Sequence, residues 1–196
     1  NKNKIYELNS KLDNLKNTNV VLEKSLTKIR KKLIRFEDKI RLQNQVFKDL
    51  KKQFRGAIKN QSIKILRKKQ RVIIRISSNI LFRSGRAKVR KKAKPLLRKI
   101  ASVIRRYSNR EIQVQGHTDN VQIKGQLAEK WETNWELSTA RATSVLRYLV
   151  EIGDLDPRNS SAAGLGEFNP IATNKSKIGK SLNRRIEIII FPPNSR

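Results

Sequence analysis

The chain has 196 residues, 46 of them Lys or Arg against 16 Asp or Glu, for a net charge of +30. That length fits one domain of about 100–150 residues with an extension, and a hydrophobic content of 37% is too low for one dense globule. There is no cysteine and His117 is the only histidine, so thiolate metal sites, disulfide frameworks and thiol nucleophiles are excluded. No apolar run approaches the roughly 18 residues that cross a bilayer. The chain opens on Asn1 and contains no methionine, which reads as a piece of a longer protein with any leader or membrane anchor upstream.

Stepping alternately three and four residues from Ile5 gives Leu8, Leu12, Leu15, Asn19, Leu22, Leu26, Ile29, Leu33, Phe36, Ile40, Gln43, Phe47, Leu50, Phe54 and Ala57. Fourteen of these sixteen positions are apolar and no proline intervenes, so residues 1–60 are expected to form a coiled-coil helix. Asn19, at a seam position, favours a parallel homodimer, because such a residue needs a like partner. Phe36, Phe47 and Phe54 are bulky for a two-stranded seam and keep trimeric or antiparallel pairing open. The alternative is one amphipathic helix lying on a globular domain.

Residues 61–70 are expected to be a linker or an extra strand, with Ser62–Leu66 pairing with the strand Arg71–Ile76 across Lys68-Lys69-Gln70. Ala93, Leu97, Ile100, Ile104 and Tyr107 then mark one face of a helix with Pro95 in its first turn. A second strand follows at Ile112 and Val114. A second helix is expected from Asn134 to Ile152 with Ala142, Val145, Leu146 and Leu149 inward, and last strands at Ser161–Leu165 and Ile186–Phe191, stopped by Pro192-Pro193. Strands alternating with helices predict an α+β sandwich of one sheet and one helical layer. The polar connection Asn120–Thr133 is long for a compact domain, and such loops are usually functional or mobile.

The charge is unevenly laid out. No carboxylate occurs between Asp49 and Glu111, and residues 61–110 hold 18 Lys or Arg. Such a field attracts nucleic acid, anionic lipid or anionic wall polymers without choosing among them. Its two aromatics, Phe82 and Tyr107, read as core, so base-stacking residues are lacking and nucleic acid is not expected as a partner.

Several candidate sites fail on spacing. Gly179-Lys180-Ser181 resembles the end of a phosphate-binding loop, but Asn174 stands where that motif needs glycine. Gly164-Leu165-Gly166 lacks a third glycine and reads as a tight bend. His117 and Asp119 have no placed nucleophile and no second histidine for a metal, so no enzyme, metal or cofactor is expected. Asp119 differs, since it follows Gly116 at a strand end where a side chain can face a crevice. Arg141 interrupts the apolar row Leu137, Val145, Leu149. The two recognise a charged ligand, or neutralise each other in an internal salt bridge, or Arg141 simply snorkels to the surface.

Five blocks carry a family resemblance: Leu81-Phe82 with Ser84-Gly85; Gly116-His117-Thr118-Asp119-Asn120; Asn134-Trp135-Glu136-Leu137-Ser138 with Arg141-Ala142; Gly164-Leu165-Gly166-Glu167 with Pro170; and Asn183-Arg184-Arg185-Ile186-Glu187. Together they resemble the OmpA-like (OmpA/MotB) peptidoglycan-binding domain, over roughly residues 71–191, with 192–196 as a tail. The block around Trp135 is most similar to the flagellar-motor MotB branch. The resemblance implies a βαβαβ two-layer sandwich that binds the diaminopimelate of the wall stem peptide. It further implies that Asp119 holds the ammonium and Arg141 the carboxylate, with Thr118, Asn134 and Arg184 at further pocket positions. Arg83 departs from the pattern, standing where the family often has an acidic residue.

The leading expectation is a non-catalytic periplasmic anchor, tethered to the membrane by an upstream segment and holding two wall-binding domains on a coiled coil. A flagellar stator component is the second reading, and it requires an upstream membrane helix carrying an ionisable residue. A basic coiled-coil nucleic-acid binder is the third.

Overall fold

The computed structural model describes residues 2–60, 62–107 and 110–192; Asn1, Gln61 and Pro193, with the rest of the expected tail, lie outside the described residues. Helix α1 spans Lys2–Gln53, and the chain divides into two units between Arg41 and Leu42.

In the first unit α1 is uninterrupted, as a stretch without Pro or Gly allows. The apolar seam positions from Ile5 to Ile40 are all exposed, at 38–63%. Its ion pairs, such as Lys11 with Glu7 at 2.6 Å, lie on the solvated surface and contribute little.

The second unit begins with the last three turns of α1, whose Gln43, Val46 and Leu50 are buried. The short α2 (Arg55–Lys59) leads to β1 (Ile63–Lys68) and β2 (Arg71–Ser77), followed by the single turn α3 (Ser78–Leu81). Next come α4 (Lys94–Arg105), β3 (Ile112–His117), α5 (Asn134–Gly153), β4 (Ser160–Gly164), α6 (Lys177–Asn183) and β5 (Arg185–Ile190). The five strands form one sheet in the order β1-β2-β5-β3-β4, antiparallel except for β3 beside β4. Residues 63–68 are therefore an edge strand, in register with β2 through Ile65 and Ile74.

Period-two alternation sorts the side chains to two faces. Ile74, Ile76, Val114, Ile186 and Ile188 point to one face, where Leu97, Ile100 and Ile104 of α4, Ala142, Val145 and Leu149 of α5, and Leu50 of α1 complete a single core. Pro95 sits in the first turn of α4, where its missing N–H is harmless. Thr133 caps α5 by accepting from Trp135 N at 3.0 Å, while Glu136 reaches back to Thr133 N at 2.7 Å. The helix stops beyond Gly153 with Asp154 in the left-handed region, φ 56°.

The opposite face carries buried charge. Arg75 and Arg185 both donate through Nε to Glu187 Oε1, at 2.9 and 2.8 Å, with Glu187 directly across from Arg75 in the register. Burial works to raise the Glu187 pKa, but the two guanidiniums outweigh it and hold the carboxyl below its ordinary range.

Candidate ligand-binding site

Three segments converge at one end of the β3–β4 pair. Strand β3 runs out through Gly116 and His117 to Thr118 and Asp119; β4 ends at Gly164 and bends through Leu165 and Gly166; and α5 begins at Asn134. The bend is fixed by Leu165 N donating to Gly116 O at 2.9 Å and Thr118 N donating to Gly166 O at 2.9 Å. Gly166 adopts φ 49°, which suits glycine. Ser138 Oγ on α5 accepts from Gly166 N at 3.0 Å and ties the helix to the bend. A Cβ on Gly116 would run into the Ser138 carbonyl, and one on Gly164 into Thr139. Glycine at both places lets the first turns of α5 press directly on the strand ends.

Asp119 is buried, and its Oδ2 accepts from Arg184 Nη1 at 2.5 Å, while its Oδ1 accepts from Val121 N at 3.3 Å. The ion pair of Asp119 is thus with Arg184, at the end of α6, and not with Arg141. Arg141 is also buried; its Nε donates to the Arg86 carbonyl at 3.0 Å and its guanidinium lies 5.3 Å from the Phe82 ring centre. Its terminal nitrogens make no hydrogen bond with the described residues. Burial and the nearby Arg184 pull the Arg141 pKa down to about 10, against the attraction of Asp119.

Asn134 binds the parts together: its Nδ2 donates to the carbonyls of Asp119 (3.3 Å) and Val121 (3.0 Å) and to Glu167 Oε2 (2.7 Å). Thr118 is buried, and its hydroxyl has no partner among the described residues. All five residues picked out in the sequence therefore fall in one constellation. Two further groups belong to it: the Arg86 carbonyl, invisible to side-chain reasoning, and Glu167, which the sequence marks only as part of the Gly164–Glu167 block and not as a site residue.

His117 does not join them. Alternation turns it to the outer face, opposite Arg185 in the register, where burial, reinforced by Arg185, pushes its pKa down to about 4. Neither ring nitrogen has a partner among the described residues, so a His117–Asp119 catalytic pair is not formed. Gly179-Lys180-Ser181 lies inside α6, where Gly179 N donates to the capping Ser176 Oγ at 3.0 Å.

This arrangement places two guanidiniums and two carboxylates around one strand end, with cation-donor capacity left over on Arg141. The model of the OmpA family matches residues 81–184, more than half of the sequence. The chain belongs to the OmpA family. Motility protein B of Bacillus subtilis (strain 168) is 40% identical to this OmpA-family chain over 121 residues, covering 62% of it and 45% of that protein. Among solved structures, a MotB-like protein of Desulfovibrio vulgaris superposes with a TM-score of 0.73 at 26% identity, over 82% of this chain and 97% of that one. The cell wall anchor of the T6SS from Pseudomonas aeruginosa superposes with a TM-score of 0.65 at 34% identity, over 73% and 96%. The OmpA-family chain spans about half the length of the curated relatives it matches. Among the described residues no helix is long and apolar enough to cross a membrane.

Proposed function

We propose that this chain is a non-catalytic anchor to the cell wall that binds peptidoglycan through the diaminopimelate of the stem peptide. The carrying observation is that buried Asp119 and Arg141 are not paired with each other, and that Arg141 keeps unspent donors. A zwitterionic amino-acid head presents an ammonium and a carboxylate together. Asp119 accepts from the ammonium, Arg141 donates to the carboxylate, and Thr118 and Asn134 supply neutral hydrogen-bonding groups. Arg184 neutralises Asp119 until a ligand arrives and is itself part-exposed, so it can yield. Family membership and the resemblance to a cell wall anchor support this reading.

The anchor acts in the periplasm as a homo-oligomer. Helix 2–41 pairs with a second copy through its exposed apolar seam, so that two weak sites gain avidity, and an upstream segment tethers it to the membrane. Sedimentation with purified sacculi tests the site. Each charge-assisted bond contributes about 1.5–3 kcal/mol, so Asp119→Ala and Arg141→Ala should each lower retention at least about tenfold, with circular dichroism confirming the fold. Wild-type retention by both variants would refute the assignment. A second reading, a stator component, is favoured by the 40% identity to Motility protein B; it demands a membrane helix with an ionisable residue in the full gene product.

A further inference from the structure

Beside the site lies a groove of about 760 Å³. One wall is the irregular segment between α3 and α4, carrying Arg83, Arg86, Lys88, Lys91 and Lys92, and the facing wall carries Lys130 and Trp131. Ala140 and Ser144 of α5 form the floor. The walls are held in place: Trp131 Nε1 donates to the Gly85 carbonyl at 3.0 Å, and Leu127 packs so closely on Gly85 that a side chain there would collide with it. All six cations are exposed, and none forms a salt bridge with a carboxylate among the described residues. No carboxylate lines the groove. A seventh lining cation, Arg90, is already engaged, donating to the Asn79 carbonyl at 2.8 Å.

Unpaired like charges crowded around one depression repel each other unless an anion enters. Six of them exceed what a single phosphate can use, and their spread over a ten-residue segment and its facing wall matches charge repeated along a chain. Duplex or single-stranded nucleic acid fits poorly. The groove offers one indole, already covered by Lys130 at 5.4 Å, and no helix free to enter a groove of DNA. The groove also shares its wall with the stem-peptide site, because the Arg86 carbonyl that receives Arg141 belongs to it. We infer that this groove binds a phosphodiester-linked anionic polymer carried on the same wall. The polymer's location rests on the wall-binding reading; the groove's chemistry does not.

Two measurements on the full chain separate these. In titrations with long-chain inorganic polyphosphate, affinity should fall at least about 100-fold between about 50 and 200 mM salt. Combining Lys88→Gln, Lys91→Gln and Lys92→Gln should weaken it and reduce the log–log salt slope by about 2, whereas Asp119→Ala, which removes a carboxylate, should not weaken it. Absence of binding, or an unaltered triple variant, overturns the inference. So does tighter binding to poly-glutamate of equal length, or to duplex DNA. In sedimentation at low salt, sacculi stripped of phosphodiester polymers with hydrofluoric acid should retain the wild type several-fold less than intact sacculi, and the triple variant should not distinguish them. Equal retention of the wild type on both overturns the groove. Retention on intact sacculi only, lost in the triple variant, supports the groove and overturns the stem-peptide site instead.

Discussion

Helix α1 carries one apolar repeat with two fates. From Ile5 to Ile40 every seam position faces solvent, whereas Gln43, Val46, Leu50 and Phe54 are buried at 3% exposure or less within the second unit. Local helix propensity and periodicity are alike in the two stretches, so what differs is only the surface available to cover them. The repeat states that a cover is needed and not what the cover is. Where the protein's own sheet supplies it, the buried face drifts from the seven-residue register, taking Val46 fully inside and leaving Phe47 only half-buried.

Substituting matched leucines tests this contrast most strongly. Leu50→Ala, which opens a cavity in the core, should cost the second unit about 2–5 kcal/mol in a thermal or urea transition. Leu26→Ala should leave that transition within about 0.5 kcal/mol and lower instead the association seen by sedimentation. A large loss of stability from Leu26→Ala in dilute, monomeric protein would break the contrast.

Acid sharpens it, because the shifted group, His117 at the end of β3, belongs to the second unit only. The folded-state pKa of His117, about 4, lies below the ordinary 6.5. The unfolded chain therefore takes up a proton first as pH falls. Stability is complete above 6.5, declines from there to about 4 and levels off below, for a loss of about 3 kcal/mol from this residue. His117→Gln should flatten that limb. Hydrogen exchange should show residues 42–53 losing protection together with the sheet, while residues 2–41 exchange as before.

The smallest expected effect concerns a clamp on the covered turns. Tyr107 Oη donates to Asp49 at 2.6 Å, and burial, with that bond, raises its pKa to about 12. The folded pKa lies above the unfolded value of 10, so the contribution is whole below pH 10 and is lost towards 12. The ring is part-exposed, so screening limits the loss to about 1 kcal/mol. Tyr107→Phe should remove this alkaline component of the unfolding free energy.

What could be read beforehand follows from the same distinction. Both long helices of the domain, the β1–β2 hairpin and the polar connection into α5 announce themselves through spacing and turn chemistry. The cover over residues 43–54 does not. Gln43 reads as a flaw in a seam, yet it donates to the carbonyls of Gln70 (2.7 Å) and Ile190 (2.9 Å) and accepts from Arg110. Such a polar group is explained only once its distant partners are known. The buried Arg75–Glu187–Arg185 cluster was hidden for a like reason, since it depends on a cross-strand register that no local pattern encodes. At the site, Asp119 and Arg141 stood out as charges in unexpected places. Arg184 came only through resemblance, because 65 residues separate it from the carboxylate it holds.

The two hydrogen bonds that Gln43 donates have a mechanical meaning for the proposed anchor. Tension delivered at Leu42 does not first have to straighten a slack tether. It reaches β5, the central strand, through Gln43 at its very end and through Leu50 and Phe54 within the core. The second unit can therefore pass a tug into its sheet stiffly, and it should yield by unpacking these turns rather than by stretching a loop.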